Sequence, residues 1–143
     1  MYCSIDDIKK YLDSEVVDQV VAGRPGLIES HIEDVSGEID DHLRGRYVLP
    51  ISVETPAVIN RCCAVLVAYR TLGGITGVMD TDKTTENALM YLQKQAASVD
   101  KILANISEGK MRLGLAEAQA DSGTTDNELL TSTRPQTFNF EGY

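Results

Sequence analysis

Few side chains in this sequence of 143 residues are of the types that carry out chemistry. The two histidines, His31 and His42, lie eleven positions apart, a spacing that returns to nearly the same face of an α-helix. Glu38 and Asp41 lie close to His42, and the three together make one candidate set of metal ligands. A helix this rich in acids produces such triplets by chance, so we expect no metal ion and no cofactor.

The three cysteines give no stronger indication of a reactive site. Cys62 and Cys63 are adjacent and therefore point in different directions on a helix, and Cys3 is distant in sequence. Residues 1–10 lack the apolar run of a secretory signal, so we expect reduced thiols buried in a core. The sequence also lacks a phosphate-binding glycine loop, a GxSxG motif and an HExxH motif, which predicts a protein that is not an enzyme.

Apolar spacing and helix-capping residues divide the first 113 residues into helices joined by short connections. Pro50 excludes a continuous helix between residues 46 and 54, and the pair Gly73 and Gly74 is expected to close the fourth helix. The predicted fold is all-α, a small bundle of about four to five helices with a flexible C-terminal tail. The helices are expected at about residues 5–12, 15–22, 27–44 and 57–72, and from Thr84 or Thr85 to just before Gly109.

The third and fourth helices differ in how their apolar residues are distributed. In the third helix these residues recur every three or four positions, which predicts one buried stripe. Its outer face is acidic and includes Glu33, Asp34, Glu38 and Asp41. The fourth helix is apolar on most sides and is expected at the centre of the bundle. The apolar connection before it is expected to pack on the core or on a neighbouring subunit.

Charge is distributed unevenly along the chain, whose formal net charge is -9. Residues 1–45 carry 11 acids and 4 bases, residues 46–113 carry 6 acids and 8 bases, and residues 114–143 carry 5 acids and 1 base. Such acidity argues against a protein that grips nucleic-acid phosphates by bulk charge, but it suits one that lets DNA pass. No run of about 18 uncharged apolar residues occurs, so we expect no membrane span.

The composition changes after residue 113, which predicts a helical domain at 1–113 and a flexible acidic linker with an aromatic arm at 114–143. Both phenylalanines of the chain, Phe138 and Phe140, would share one face of an extended strand. The candidate docking arm therefore comprises Arg134, Phe138, Phe140 and Tyr143. A tail without a role and a strand that folds back on its own domain are the alternatives.

The segment from Glu38 to Pro50, EIDDHLRGRYVLP, resembles a motif of structural proteins from Mu-like bacteriophages and prophages. In that family a helix ending in a pattern similar to eIdgYLrgRY.LP precedes a helix that opens with proline. The start of the chain and the segment Ile106–Leu113 are also similar to the family, and the resemblance covers about residues 1–113. His42 departs from the aromatic residue that the family often has there. The matching residues are Ile39, Asp40, Leu43, Arg44, Arg46, Tyr47, Leu49, Pro50 and Pro56.

The resemblance implies a head–tail connector, or adaptor, subunit of a tailed phage. Such proteins are small all-α domains that assemble as a homo-oligomeric ring, often of twelve copies, beneath the portal protein and next to a tail-completion or stopper protein. The implied location is the neck of the virion, with the host cytoplasm as the place of assembly. DNA would pass through the ring without specific binding, and the acidic outer face of the third helix would line that passage.

The same resemblance suggests where the subunit meets its neighbours or the portal. The expected contact residues are Arg44, Arg46, Tyr47, Leu49 and Pro50, because arginine and tyrosine are favoured anchors of interfaces. Structural roles are the alternative. Arg44 would complement the dipole at the end of the third helix, and Tyr47 would anchor the following loop in the core.

Two other classes of function remain open from the sequence. One is a monomeric α-helical binding module that uses its acidic face against a basic partner protein. The other is a small hydrolase or metal-dependent enzyme. The assembly state of the protein, alone and with a portal protein, distinguishes the connector from the binding module.

Overall fold

The computed structural model describes residues 1–76 and 83–118 of the chain. Its described part is all-α, as predicted, and apart from one isolated antiparallel bridge it contains no strand pairing. The helices are α1 Ile5–Ile8, α2 Ser14–Gly23, α3 Leu27–Leu43, α4 Ala57–Thr76 and α5 Lys83–Ser107.

Helix α4 forms the centre of the bundle, as its apolar composition predicted. Residues 62–68 of this helix are all buried, and it packs against α1, α3 and α5. Helices α3 and α5 each turn one apolar stripe toward it, which follows from the recurrence of their apolar residues every three or four positions. The buried stripe of α3 is Ile28, Ile32, Val35, Ile39 and Leu43, and that of α5 is Leu92, Ala96, Val99, Leu103 and Ile106.

By length and composition alone, the stretch Ala57–Ile75 of α4 could cross a membrane, and α4 is the one helix of the described part that passes this test. In the fold, 56% of that stretch is buried inside the bundle. The core helix of a bundle meets the same criteria, and this stretch also carries Arg61 and Arg70. The expectation of no membrane span therefore stays a prediction.

The first two helices begin at well-defined caps. Ser4 and Asp7 form a capping box, in which each side chain accepts a hydrogen bond from the other residue's backbone N–H. The helix ends sooner than predicted, at Ile8, and turn bonds from Lys10 to Asp7 and from Tyr11 to Ile8 follow it. Helix α2 begins at Ser14, one residue before the predicted start, with Asp13 as its N-cap, whose carboxylate accepts the N–H of Glu15 at 2.9 Å.

The prediction that Gly73 and Gly74 close the fourth helix was wrong. Helix α4 continues through both glycines to Thr76. A glycine inside a helix costs about 1 kcal/mol relative to alanine, which the burial of the preceding Thr71 and Leu72 against the core can offset. Helix α5 begins at Lys83, before the predicted cap at Thr84 or Thr85.

The last helix ends where glycine was expected to end it. After Ser107 the chain turns, and Gly109 adopts the left-handed backbone conformation with φ of +84°. Lys110 then donates its N–H to the carbonyl of Asn105 at 2.8 Å, the bonding pattern of a Schellman cap.

Residues 114–118 are held to the helical domain, although the sequence placed the linker from residue 114. Leu115 is partly buried against the core, and Ala118 donates its N–H to the carbonyl of Arg46 at 2.9 Å. The remainder of the predicted linker and the docking arm (Arg134, Phe138, Phe140 and Tyr143) lie outside the described residues.

Candidate functional site: a motif junction and an acidic face

The two segments similar to the phage family, from Glu38 to Pro50 and from Ile106 to Leu113, meet in space where α3 and α5 end. We call this contact the motif junction, formed by Arg46 and Tyr47 after α3 and by Gly109, Leu113 and Glu117 after α5. Only 2% of the Tyr47 side chain is exposed, and its hydroxyl oxygen accepts the backbone N–H of Leu113 at 3.1 Å. The ring therefore fills the core while its polar end satisfies a backbone group.

A short antiparallel bridge closes the motif junction. Val48 donates its backbone N–H to the carbonyl of Ala116 at 3.0 Å, and the N–H of Ala118 reaches the carbonyl of Arg46 at 2.9 Å. These bonds join two connections that are about 70 residues apart in sequence, so the junction fixes the ends of two helices relative to each other.

The arginine of the junction lies over the end of α5. A Cβ atom at Gly109 would lie 2.6 Å from Nη1 of Arg46, so the guanidinium occupies the space that any other residue would need. The Nε atom of Arg46 is buried and has no hydrogen-bond partner within the described residues. The positive φ of Gly109 favours glycine, and a larger residue there would also have to displace the flexible guanidinium of Arg46.

The five predicted contact residues do not form one surface. Tyr47 anchors the loop in the core of its own subunit, the alternative given above, and so does not present its ring to a partner. Arg46 is half-buried, Leu49 packs partly on the core, and Pro50 is exposed. Arg44 is exposed and forms an ion pair with Asp41, one turn back on α3, at 3.3 Å.

The connection before α4 divides into an inner and an outer set of apolar side chains. Leu49 and Ile51 pack partly against the core. Val48 is 54% exposed and Val53 is 65% exposed, which leaves two branched apolar side chains in solvent on the same short connection. These two valines are the exposed apolar surface that the predicted packing onto a neighbour would need.

The four predicted acids of α3, Glu33, Asp34, Glu38 and Asp41, are all exposed, and we call them the acidic face. Asp34, Glu38 and Asp41 follow one another at steps of four and three residues, which places them on one side of the helix. Glu38 forms an ion pair with Arg70 of α4 at 2.7 Å, and Asp41 pairs with Arg44. Glu33 and Asp34 make no ion pair with the part of the chain described, so the face keeps a net negative charge.

The histidines of α3 do not gather metal ligands. Among residues 1–76 and 83–118, no group of three or more His, Cys, Asp or Glu side chains is arranged to hold a metal ion. His42 is exposed, and Glu38, its candidate co-ligand, is engaged by Arg70. Burial lowers the pKa of the half-buried His31, and the positive charge of Arg70 lowers it further.

A polar cluster between the N-terminal segment and helices α3 and α4 had no counterpart in the sequence-based predictions. The Asn60 side chain donates to the carbonyl of Tyr2 at 3.0 Å and to the carboxylate of Asp7 at 2.9 Å. The Tyr2 hydroxyl donates to Asp40, and its backbone N–H reaches Ser36 at 3.2 Å. No sequence spacing signals contacts between residues 34 to 58 positions apart.

The cluster changes the acidity of two of its members. The hydrogen bond from Asn60, with help from the Ser4 backbone, lowers the pKa of Asp7 to about 2. Burial raises the pKa of Tyr2 well above its ordinary value, and the neighbouring Asp40 carboxylate raises it further. The carboxylate of Asp7 therefore stays ionised to a lower pH, and the hydroxyl of Tyr2 keeps its donor proton to a higher pH, than in an unfolded chain.

Comparison with known proteins identifies this all-α domain as a protein of a Mu-like bacteriophage. It belongs to the family described as "Bacteriophage Mu, Gp36", whose model matches residues 2–131. It is similar to the Mu-like prophage FluMu protein gp36 of Haemophilus influenzae, with 28% identity over 101 residues. That match covers 71% of this chain and 60% of the relative, so the chain spans less than two thirds of the curated relative's length. No solved structure matches the chain significantly.

Proposed function

We propose that this protein is the head–tail connector, or adaptor, subunit of a Mu-like phage. In this proposal it assembles as a ring beneath the portal protein. Twelve copies is the number that the family resemblance implies. The ring forms part of the DNA passage in the neck of the virion and has no enzymatic activity and no cofactor. Membership of the phage family supports a phage-associated role. The acidic face is the main observation that supports the more specific role of a ring through which DNA passes.

The acidic face suits a surface that DNA passes without sticking. Four carboxylates project from one helix, and only two of them are paired with a cation within the described residues. A DNA duplex carries about one negative charge per 1.7 Å of its axis, so a face of this sign repels it instead of holding it. A bore lined by such faces would keep the passing DNA mobile.

The ring requires a surface on which subunits meet, and the exposed valines of the connection before α4 supply apolar area for it. Val48 directly follows Tyr47, which fixes the loop from inside, and Val53 lies on the same connection. Arg44 and Pro50, which are near Val48 in sequence, are also exposed. Burial of the two valines between subunits would remove apolar surface from water, and arginine is a favoured anchor of interfaces.

The portal and the tail-completion or stopper protein are the proposed partners on either side of the ring. The C-terminal arm is the proposed contact with the portal or with a neighbouring subunit, since its aromatic residues suit addition to a sheet edge or insertion into pockets. Assembly would take place in the host cytoplasm.

Assembly with a portal protein tests the proposal. We expect native mass spectrometry and negative-stain imaging to show a closed ring, either of this protein alone or after it is mixed with the portal protein of the same phage. The double variant Val48→Asp/Val53→Asp should abolish the ring. The matched control Val21→Asp, at a partly exposed position of α2, should keep it. A protein that stays monomeric and never binds the portal would contradict the proposal.

The second candidate is a monomeric binding module that uses the acidic face against a basic partner. Glu33 and Asp34 favour it, because they form no ion pair within the described residues and could bind lysine or arginine side chains of a partner. A persistent monomer whose binding to a basic protein is lost on charge reversal of the acidic face would support this candidate over the connector.

A further inference from the structure

Two of the three cysteines are in contact, one in the N-terminal segment and one in α4. Cys3 of the N-terminal segment lies with its Sγ atom 3.0 Å from Sγ of Cys63 in the middle of α4, and its thiol donates to that sulfur. A disulfide bond is about 2.05 Å long, so the two sulfur atoms need to approach by only about 1 Å to bond. Both are free thiols in the structure.

Hydrogen bonds of the preceding residue hold the backbone beside Cys3 against α3 and α4. The preceding residue, Tyr2, donates its N–H to Ser36 at 3.2 Å, and its carbonyl accepts from Asn60 at 3.0 Å. Asn60 lies one turn of α4 before Cys63, so the same helix holds the N-terminal segment and presents the second thiol. Formation of the disulfide therefore requires movement of the two side chains and no change of the fold.

We propose that Cys3 and Cys63 form a reversible oxidation site. A low-molecular-weight disulfide, such as oxidised glutathione, converts the pair to an intramolecular disulfide that ties the N-terminal segment to α4. The inference rests on the Cys3–Cys63 contact alone and does not depend on the connector role.

The two thiols differ in access and in reactivity. Cys3 is half-buried and is the sulfur that a small oxidant can reach, whereas Cys63 is fully buried. The hydrogen bond from Cys3 lowers the pKa of Cys63, and the Ser36 hydroxyl, 3.8 Å from its sulfur, adds to this effect. The pKa of Cys3 is raised because its thiol donates that hydrogen bond and is partly desolvated. Access therefore assigns first contact with the oxidant to Cys3, although its raised pKa makes this first step slow, and the lowered pKa of Cys63 favours closure of the disulfide.

The reaction balances with the small disulfide as the oxidant. Cys3 loses its proton to solvent, and its sulfur attacks one sulfur of the small disulfide, which releases one small thiol and leaves a mixed disulfide. Cys63, as a thiolate, then attacks the Cys3 sulfur, and the second small thiol leaves. Two protein thiols are oxidised to one protein disulfide, and one small disulfide is reduced to two thiols.

The adjacent Cys62 provides a matched control. It is also fully buried, and burial raises its pKa to about 11, but it makes no sulfur contact with the rest of the described chain. The alanine variant Cys62→Ala should therefore leave the reaction unchanged. The variant Cys3→Ser, at the half-buried position, removes the reaction with little risk to folding, and Cys63→Ala provides a second variant on the other side of the bond.

The test treats the purified full-length protein with oxidised glutathione and analyses it by intact mass and by non-reducing peptide mapping. We expect a loss of about 2 Da, the mass of two hydrogen atoms, and a Cys3–Cys63 peptide in the parent protein and in Cys62→Ala. Neither product should form in Cys3→Ser or Cys63→Ala. The melting temperature should rise by roughly 10 °C on oxidation, because the bond closes a loop of 60 residues, and it should return on reduction.

Other products would overturn the inference. A stable mixed disulfide at Cys3 that never closes would show that the buried sulfur cannot reach it. A Cys3–Cys62 link or a disulfide between two chains would show that the observed pairing is not the reactive one. Unchanged free thiols after prolonged treatment would contradict it as well.

Discussion

The motif junction and the acidic face are both built at α3, yet they differ in almost every physical respect. The junction is centred on the buried ring of Tyr47 and is held by hydrogen bonds between distant parts of the chain. The acidic face is exposed, and two of its four carboxylates form ion pairs with Arg44 and Arg70. Residues with a clear sequence motif therefore serve the fold here, whereas the surface best suited to act on other molecules has no motif beyond its charge.

Removing the aromatic ring from the junction should have the largest effect. We expect Tyr47→Ala to lower the free energy of unfolding by about 3–5 kcal/mol, because a fully buried ring leaves a cavity when it is lost. Urea denaturation followed by circular dichroism measures this change. Tyr47→Phe keeps the ring and removes only the acceptor for Leu113, so it should cost about 1–3 kcal/mol. Equal losses in the two variants would contradict a role for the ring in packing.

The helix end at the junction should show a smaller effect. Gly109→Ala forces a left-handed conformation on a residue with a Cβ atom, which costs about 1–2 kcal/mol. It also displaces the guanidinium of Arg46. Gly114 is a matched control, since its φ of +72° is similar but no atom lies within 4 Å of the place of its Cβ. Chemical denaturation of both alanine variants measures the difference, and a smaller cost at Gly109 than at Gly114 would refute the close approach of Arg46.

The N-terminal cluster should make stability depend on acid pH. In the folded protein the pKa of Asp7 is about 2, against an ordinary value of 3.8. The unfolded chain therefore takes up this proton first as the pH falls, so the stabilisation is complete above about pH 4 and is lost between about pH 4 and pH 2. In Asn60→Ala the carboxylate loses its main donor, and this part of the pH dependence should shrink. Denaturation of both proteins at pH 5, 4 and 3 measures how the free energy of unfolding depends on pH. The same dependence in the variant as in the parent protein would contradict the role of Asn60.

Charge reversal of the acidic face should change stability least. Exposed ion pairs contribute about 0–1 kcal/mol, so replacing Glu33, Asp34, Glu38 and Asp41 by lysine should alter unfolding only slightly. The same variant should change the retention or ejection of the phage genome, because a positive face would hold DNA phosphates. The control reverses four exposed acids elsewhere, Glu15, Asp18, Glu86 and Asp100, and should leave DNA behaviour close to normal. Normal virions from the acidic-face variant would disprove a role in the DNA passage.

The regions of this protein also differ in how far the sequence could predict them. The stripes of α3 and α5, the central place of α4 and the acidic face all follow from the spacing of apolar and charged residues along one helix. Local spacing is enough there because each feature belongs to a single element. The continuation of α4 through Gly73 and Gly74 was missed because tertiary packing outweighed a local preference.

The contacts that depend on tertiary structure were beyond the reach of local patterns. Two motifs were visible in the sequence, but nothing in their spacing showed that Tyr47 meets Leu113 or that Arg46 covers Gly109. The approach of Cys3 to Cys63 was equally hidden, since buried reduced thiols were expected without a pairing. Such contacts join residues that are 60 or more positions apart, and only the packing of the helices brings them together.

The most direct test of the proposed connector role is the position of α3 in an assembled neck, imaged by electron cryomicroscopy with the portal protein present. We expect a closed ring in which the acidic face (Glu33, Asp34, Glu38 and Asp41) lines the bore while Tyr47 of the motif junction remains buried inside each subunit. A ring in which this face turns outward or is covered by a neighbouring subunit would contradict the proposed role, as would the absence of this protein from the neck.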